Sequence, residues 1–220
     1  ICYNYFVSKK NRKKNLVESR VDLENISLPQ EFLRNFEADF GKEDAEKYKL
    51  EFVKNPARGI RFLSFKTSVQ SVVENCGLQL ESVPYFDNAF YLLSDEKLGN
   101  TILHQSGAIY LQEPSSMVPV ASVRNFDFNN KLVLDLCASP GGKTTQIALL
   151  MNGSGELVSN EIDTKRAKIL YSNIERLGIK NVVVTNETPQ NLAKQFNQVF
   201  DYIFVDAPCS GEGMFRKDKQ

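Results

Sequence analysis

The sequence is poor in the residues that build histidine- and cysteine-based metal sites. Its 220 residues include one histidine, His104, and four cysteines. A single histidine leaves little room for a histidine-based metal site or a Ser-His-Asp triad. The cysteines, Cys2, Cys76, Cys137 and Cys209, lie far apart in the sequence, which excludes the paired spacing of a zinc knuckle. We therefore expect no metal site.

The chain also lacks a long apolar run and an excess of charge of either sign. No apolar stretch approaches the roughly 18–20 residues that a membrane helix needs, so no membrane association is expected. The 27 basic and 27 acidic residues cancel. This balance excludes a globally basic nucleic-acid binder but leaves room for a local basic patch.

Residues 1–25 are predicted to form a polar, basic tail. The lysines and arginines at 9–14 follow the first apolar residues, whereas a secretory signal has the reverse order. Without such a signal we expect a cytoplasmic protein whose thiols stay reduced. Because the sequence starts at Ile1 and not at a methionine, we also expect a longer reading frame.

Residues 26–125 predict a small α+β accessory region. Apolar residues recur at helical spacing over 33–40 and 45–52, and another helix is predicted over 67–77. Strands are predicted within 58–66 and over 83–85, 89–93 and 108–111. Arg58, Arg61 and Lys66 are interspersed along the first of these strands and could form a basic strip that binds RNA phosphates. The alternative interpretation is scattered surface charge.

Residues 126–220 predict the first half of a Rossmann-like α/β domain. Strands over 132–136, 156–160, 182–185 and 202–205 alternate with helices over 143–151, 164–177 and 189–196. This alternation is typical of βαβ units and a parallel sheet, whose ligands bind at the carboxyl ends of the strands. Such a sheet normally has more than four strands, so we expect it to be truncated at Gln220.

The first informative segment follows the strand that ends near Asp135. Gly141 and Gly142 allow the backbone to approach a ligand closely, and the helix that starts after them offers free N–H groups to an anion. The sequence Gly142-Lys143-Thr144 is similar to the end of a P-loop, which makes a nucleoside-triphosphatase an alternative. Cys137 stands where the P-loop pattern requires its first glycine, so this alternative is disfavoured.

Two further segments lie at the ends of later strands. Glu161 follows Gly141 by twenty residues, which is the distance at which an acidic residue holds ribose hydroxyls; the alternative is a solvated or helix-capping glutamate. Asp206 and Cys209 follow the last strand. A carboxylate and a thiol in one loop suit chemistry on a nitrogen heterocycle, whereas a cysteine alone is more often a small buried hydrophobe.

At this point the sequence resembles the Sun (Fmu) family of RNA cytosine-C5 methyltransferases. Residues 137–145 are similar to the family's S-adenosylmethionine loop, and residues 206–218 to its D-A-P-C-S-G-x-G-x-x-R-K-D loop. Weaker similarities occur in the expected order at 28–33, 55–61, 83–85 and 110–117. Among the branches of the family, the sequence most resembles the bacterial enzymes that act on small-subunit ribosomal RNA.

The resemblance implies a cofactor, S-adenosyl-L-methionine, and a set of residues around it. Glu161 would bind the ribose, Arg166 would lie near the cofactor, and Glu187 would be near the adenine. Asp206 would face both the cofactor and the target cytosine. The methionine part of the cofactor would be surrounded by Cys137, Ala138, Ser139, Pro140, Gly141, Gly142 and Lys143.

The resemblance also implies an enzyme with two cysteines and a ribosomal RNA substrate. A nucleophilic cysteine would attack C6 of cytosine, and Cys209 would help to release the methylated product. Arg216 and Lys217 would hold an RNA phosphate. The nucleophilic cysteine of the family would lie after Gln220, so a polypeptide of these 220 residues alone is expected not to catalyse the methylation. A catalytically inactive RNA-binding fragment therefore stays open as an alternative.

Overall fold

A computed structural model describes residues 28–52 and 56–209 of the chain. The described residues fall into two compact units, with 28–52 in one and 56–209 in the other. The predicted basic tail, Arg216 and Lys217 lie outside the described residues. The division into an accessory region over 26–125 and the first half of a Rossmann-like domain over 126–220 stays a prediction.

The first unit contains two helices, α1 (Gln30–Phe40) and α2 (Lys42–Phe52). Both were expected from the helical spacing of their apolar residues. Gly41 separates them with φ +86°, in the left-handed region that favours glycine. The ring of Phe36 stacks on Tyr48 with a centroid distance of 4.4 Å, so aromatic packing holds the two helices together.

The second unit begins with an antiparallel sheet. Its strands, in the order β2-β3-β1-β4, are β1 (Gly59–Phe62), β2 (Leu80–Ser82), β3 (Ala89–Leu92) and β4 (Ile109–Leu111). The helices α3 (Val69–Cys76) and α4 (Ile102–Gln105) connect them. The strand predicted over 83–85 is wrong. Pro84 has no N–H to donate to a ladder, and the strand ends before it.

A parallel sheet follows in the same unit. Its strands are β5 (Leu132–Asp135), β6 (Glu156–Asn160), β7 (Val182–Thr185) and β8 (Tyr202–Phe204), in the order β7-β6-β5-β8. The helices are α5 (Val118–Ala121), α6 (Gly142–Met151), α7 (Thr164–Leu177) and α8 (Pro189–Gln195). The predicted α/β class with a Rossmann-like parallel sheet is confirmed.

The order of the strands determines where a ligand can bind. From β5 the chain moves to β6 and β7 on one side, and β8 then pairs with β5 on the other side. The switch point of the sheet therefore lies at the carboxyl ends of β5 and β8. Asp135 ends β5 and Asp206 follows β8, so both carboxylates belong to this crevice. Among the described helices, none has the length and apolar character needed to cross a membrane.

Candidate functional site

A cavity of about 180 Å³ lies at the carboxyl edge of the parallel sheet. Six of the seven predicted loop residues, all except Gly141, line it. Tyr110 and Leu111 of β4, with Gln112 and Ser116 after it, form a second wall, and Asp206 completes the lining. The structure thus brings the loop after β5 and the carboxylate after β8 to one cavity, as the motifs predicted. The cofactor-binding roles of these residues stay predictions.

The loop after β5 is shaped by Gly141 and by contacts with α7. Gly141 has φ +107°, and a Cβ atom there would lie 3.1 Å from Cδ1 of Leu170, so a side chain would meet both strain and a packed neighbour. Asn173 donates to the carbonyl of Pro140 at 2.8 Å. No side chain caps α6 at its start, which leaves the first N–H groups of this helix available to an anionic ligand group.

Asp135 is a buried carboxylate directly behind this loop. Its exposure is 1%. Its Oδ2 accepts a hydrogen bond of 2.7 Å from the hydroxyl of Thr144, which is itself fully buried. Burial raises the pKa of Asp135 to about 6, against the opposing effects of the Thr144 hydrogen bond and the charge of Lys143. A carboxylate with such a pKa beside a cavity is a feature typical of functional sites.

The same contacts argue against the P-loop alternative. In a P-loop the residue after the lysine gives its hydroxyl to a magnesium ion, and the lysine binds phosphate. Here the Thr144 hydroxyl is turned inward to Asp135. Lys143 pairs with Asp206 at 2.5 Å. Neither group is directed as nucleotide hydrolysis would require.

Glu161 lies at the end of β6, and the protein holds its carboxylate in a fixed orientation. Its exposure is 4%, which contradicts a solvated glutamate, whereas its contact with Asp163 at the start of α7 leaves the helix-capping alternative open. Oε1 accepts from the backbone N–H of Asp163 at 3.0 Å, and Oε2 lies 3.5 Å from the guanidinium of Arg166. Arg166 also donates to the carbonyl of Ser139 at 2.9 Å, which ties Glu161 to the loop. Two carboxylate oxygens offer about four acceptor positions, so capacity remains for a ligand hydroxyl.

Glu187 stands apart from the cavity lining. Its Oε2 accepts from Asn191 at 2.9 Å, and its backbone N–H donates to Asn160. The side chain of Asn160 also donates to the carbonyls of Leu136 and Glu187. Asn160 therefore connects the loops that follow β5 and β7, a role the sequence analysis did not assign to it. The adenine role of Glu187 stays a prediction.

The two cysteines near the site differ in their surroundings. The pKa of the Cys137 thiol is raised, first by burial and then by the negative charges of Glu161, Asp135 and Asp206. A raised pKa disfavours the thiolate form, which argues against a nucleophilic role for Cys137. Cys209 is an exposed free thiol, so the alternative of a buried small hydrophobe is wrong.

The prediction that Arg61 belongs to an RNA-binding strip with Arg58 and Lys66 is wrong. The exposure of Arg61 is 1%, because β1 is covered on both faces, and it therefore cannot contribute to a surface strip. Arg58 is exposed and donates to the backbone carbonyls of Ser94 and Glu96. RNA binding by Arg58 stays a prediction.

Lys66 makes a structural contact that no local sequence pattern indicates. Its ammonium group donates to the carbonyl of Ser106 at 2.7 Å and to that of Arg176 at 2.9 Å. Arg176 lies in the last turn of α7, where carbonyls lack helical partners, so Lys66 satisfies the end of this helix. Partial burial, with a smaller contribution from Arg176, lowers the pKa of Lys66. Its RNA-binding role also stays a prediction.

Solved structures share this fold. A methyltransferase homolog protein from Pyrococcus horikoshii superposes with a TM-score of 0.74 at 30% sequence identity, covering 88% of this chain and 63% of that one. NSun6 from the same organism, solved with SFG, superposes with a TM-score of 0.72 at 21% identity, covering 82% of this chain and 71% of that one. The second similarity shows the fold alone.

Curated relatives extend well beyond the length of this chain. The ribosomal RNA small subunit methyltransferase F of Vibrio atlanticus is 39% identical over 201 residues. This match covers 88% of the chain and 42% of the relative. The chain thus spans less than half the length of this relative.

Two family profiles match the chain in order. Residues 28–114 match the N-terminal domain of 16S rRNA methyltransferase RsmF. Residues 126–220 match 16S rRNA methyltransferase RsmB/F. Because these matches cover the accessory region and the site loops alike, the chain belongs to the RsmB/F family.

Proposed function

We propose that this chain takes part in the S-adenosylmethionine-dependent methylation of small-subunit ribosomal RNA, at C5 of a cytosine. The observation that carries the proposal is the cavity at the switch point of the parallel sheet, lined by the glycine-containing loop after β5 and by Asp206. Membership of the RsmB/F family and the names of the curated relatives support the same reaction. We also propose a cytoplasmic location, in keeping with free thiols at Cys76, Cys137 and Cys209.

The residues present fit such a cofactor in two respects. The uncapped start of α6 suits a carboxylate, and the buried Glu161 suits ribose hydroxyls. The volume of about 180 Å³ is below the roughly 300–1,000 Å³ of sites that enclose a whole drug-sized ligand. The cavity therefore fits the amino-acid end, and the adenosine end would extend along the surface toward Glu161. When bound, the cofactor supplies an electrophilic methyl group on its sulfonium.

Asp206 and Cys209 would act on the cytosine. Asp206 follows β8 at the rim of the cavity, with its carboxylate paired to Lys143. There it can accept a hydrogen bond from the cytosine amine and hold the ring at the reacting edge. Cys209, three residues further and exposed, can approach a base that has been unstacked from the RNA. In the proposed reaction its thiol assists the elimination that releases the product.

A calorimetric titration with S-adenosylhomocysteine tests the cofactor part of the proposal. We expect saturable binding by the 220-residue chain and its loss in Glu161→Ala. Glu156→Ala is the matched control, because Glu156 is an exposed glutamate at the opposite end of the same strand. Far-UV circular dichroism verifies that all three proteins are folded. A folded wild-type chain without binding, or equal losses in both variants, would contradict the proposal.

A methyl-transfer assay tests the reaction. These 220 residues supply Asp206 and Cys209, and the nucleophilic cysteine implied by the resemblance is not among them. A polypeptide of these residues alone is therefore expected to bind the cofactor without forming 5-methylcytosine in small-subunit RNA. Incorporation of radiolabelled methyl by this polypeptide would refute that expectation. RNA binding without any cofactor affinity would instead favour the inactive RNA-binding alternative.

A further inference from the structure

Arg61 is a buried cation that contacts the start of α6, the helix that follows the glycine-containing loop. Its Nε donates to Oε1 of Gln112 at 2.7 Å. Its Nη2 donates to the carbonyl of Gly142 at 2.9 Å and to the hydroxyl of Thr145 at 2.7 Å. The ring of Tyr110 lies 5.2 Å from the guanidinium carbon. The side chain thus extends from β1 of the antiparallel sheet to the first turn of α6.

The charge of Arg61 has no carboxylate partner among the described residues. The guanidinium donates to three neutral oxygens, those of Gln112, Gly142 and Thr145, and its Nη1 is buried without a partner. Burying a cation without a counter-charge is expensive, and arginine in a protein interior is normally paired. Desolvation accordingly lowers the pKa of Arg61 to about 10, which still leaves it protonated at neutral pH.

The position of this charge at the start of a helix adds to the free-energy cost of burying it. The start of a helix already carries a positive partial charge, so a guanidinium there is unfavourable unless an anion is close. Three of the groups around Arg61, those of Tyr110, Gln112 and Gly142, also line the cavity. Arg61 does not line this cavity itself: it lies behind these wall groups and borders a second cavity. The missing negative charge can be supplied from the first cavity by the carboxylate of a bound ligand.

We propose that Arg61 is a positioning residue for the cofactor: its guanidinium fixes the wall formed by Gln112 and Gly142, and its unpaired charge attracts the carboxylate at the amino-acid end of the ligand. This inference rests on the proposed function, since it takes S-adenosylmethionine as the ligand. It assigns to the region over 26–125 a part in cofactor binding, where the sequence analysis expected RNA contacts.

Two ligands separate the effect of charge from the effect of structure. The probes are S-adenosylhomocysteine and its decarboxylated analogue, which keeps the amine and the adenosine. Over about 10 Å at an effective dielectric constant of about 20, one charge pair is worth about a tenfold change in affinity. We expect Arg61→Met to lower the affinity for S-adenosylhomocysteine by about tenfold or more, and the affinity for the analogue by less than about threefold. Equal weakening of both ligands would overturn the proposal.

Two further variants secure the interpretation. Thr145→Val removes one partner of Arg61 and leaves the charge, so it should change the two affinities by the same factor. Arg61→Lys keeps the charge, so it should keep the wild-type ratio of the two affinities even where both are weaker. Loss of that ratio in Arg61→Lys would overturn the proposal even if Arg61→Met does not fold. A wild-type chain that binds neither ligand would overturn the proposed function, and this inference with it.

Discussion

The stability of this protein should depend on pH through Asp135. Its carboxyl group is buried, and its pKa is raised from 3.8 to about 6. A raised pKa means that the folded state favours the protonated form. The group's contribution to stability is therefore largest below pH 3.8 and is lost as the pH rises through about 6. Two pKa units correspond to about 3 kcal/mol in the free energy of unfolding.

Asp135→Asn removes this titration and keeps an oxygen that can accept from Thr144. We expect the unfolding free energy of the wild type to fall, relative to that of Asp135→Asn, by about 2–3 kcal/mol between pH 4 and pH 7.5. Urea unfolding of both proteins at several pH values measures this difference. In Thr144→Val the ionised carboxylate loses a hydrogen-bond donor, so the fall should become larger and extend to higher pH. Parallel pH curves for wild type and Asp135→Asn would refute the assigned shift.

Three further predictions concern the loop, a helix start and RNA. Gly141→Ala should lower the unfolding free energy by about 1 kcal/mol more than Gly153→Ala does, because both glycines have positive φ but only Gly141 has a close neighbour. Equal losses of the two variants in urea unfolding would contradict this. Asp163→Ala should cost about 1 kcal/mol in the same assay, since Asp163 caps α7 through the N–H of Arg166, and Asp163→Asn should cost clearly less. Reversing the charges of Arg58 and Lys66 should weaken RNA binding and reduce its salt dependence; an unchanged salt slope in a filter-binding assay would reject the strip.

Where the elements of the parallel sheet could be predicted, both of their ends carry local signals. The strand over 156–160, the helix over 164–177 and the strand over 182–185 occur with the predicted bounds. Asp163 caps the start of that helix, and Gly178 ends it in the left-handed conformation. Periodicity and capping are properties of adjacent residues, so they can be detected without knowledge of the tertiary structure.

The short elements could not be predicted, because they lack such local signals. The helix Val118–Ala121 contains Pro119 in its first turn, where proline is tolerated, but in a sequence the proline suggests only a turn. It follows a one-turn 3-10 helix over Pro114–Met117. Segments this short have no periodicity to detect, and packing against the rest of the unit determines their conformation.

The wrong prediction for Arg61 has a different physical cause. Ile60 and Phe62 lie in the core, and strand alternation then turns Arg61 to the opposite face, which for a charged residue is usually solvent. Here β1 lies between β3 and β4, and all four of its residues are buried. The opposite face is covered by the start of α6, about eighty residues later in the chain. No local pattern shows that a strand has two buried faces when the covering element is so distant.

Within the unit over 56–209, residues that precede the parallel sheet make contacts that place α6 and the loop before it. Arg61 holds the carbonyl of Gly142 from the antiparallel sheet, and Gln146 of α6 donates to the carbonyl of Met117 at 2.9 Å. Lys66 reaches the last turn of α7. The antiparallel sheet is thus hydrogen-bonded to the start of α6, and the turn after β1 is hydrogen-bonded to the end of α7. A substitution at Arg61 should therefore alter the wall formed by Gln112 and Gly142, because Arg61 connects the region expected to recognise RNA to the loop expected to bind the cofactor.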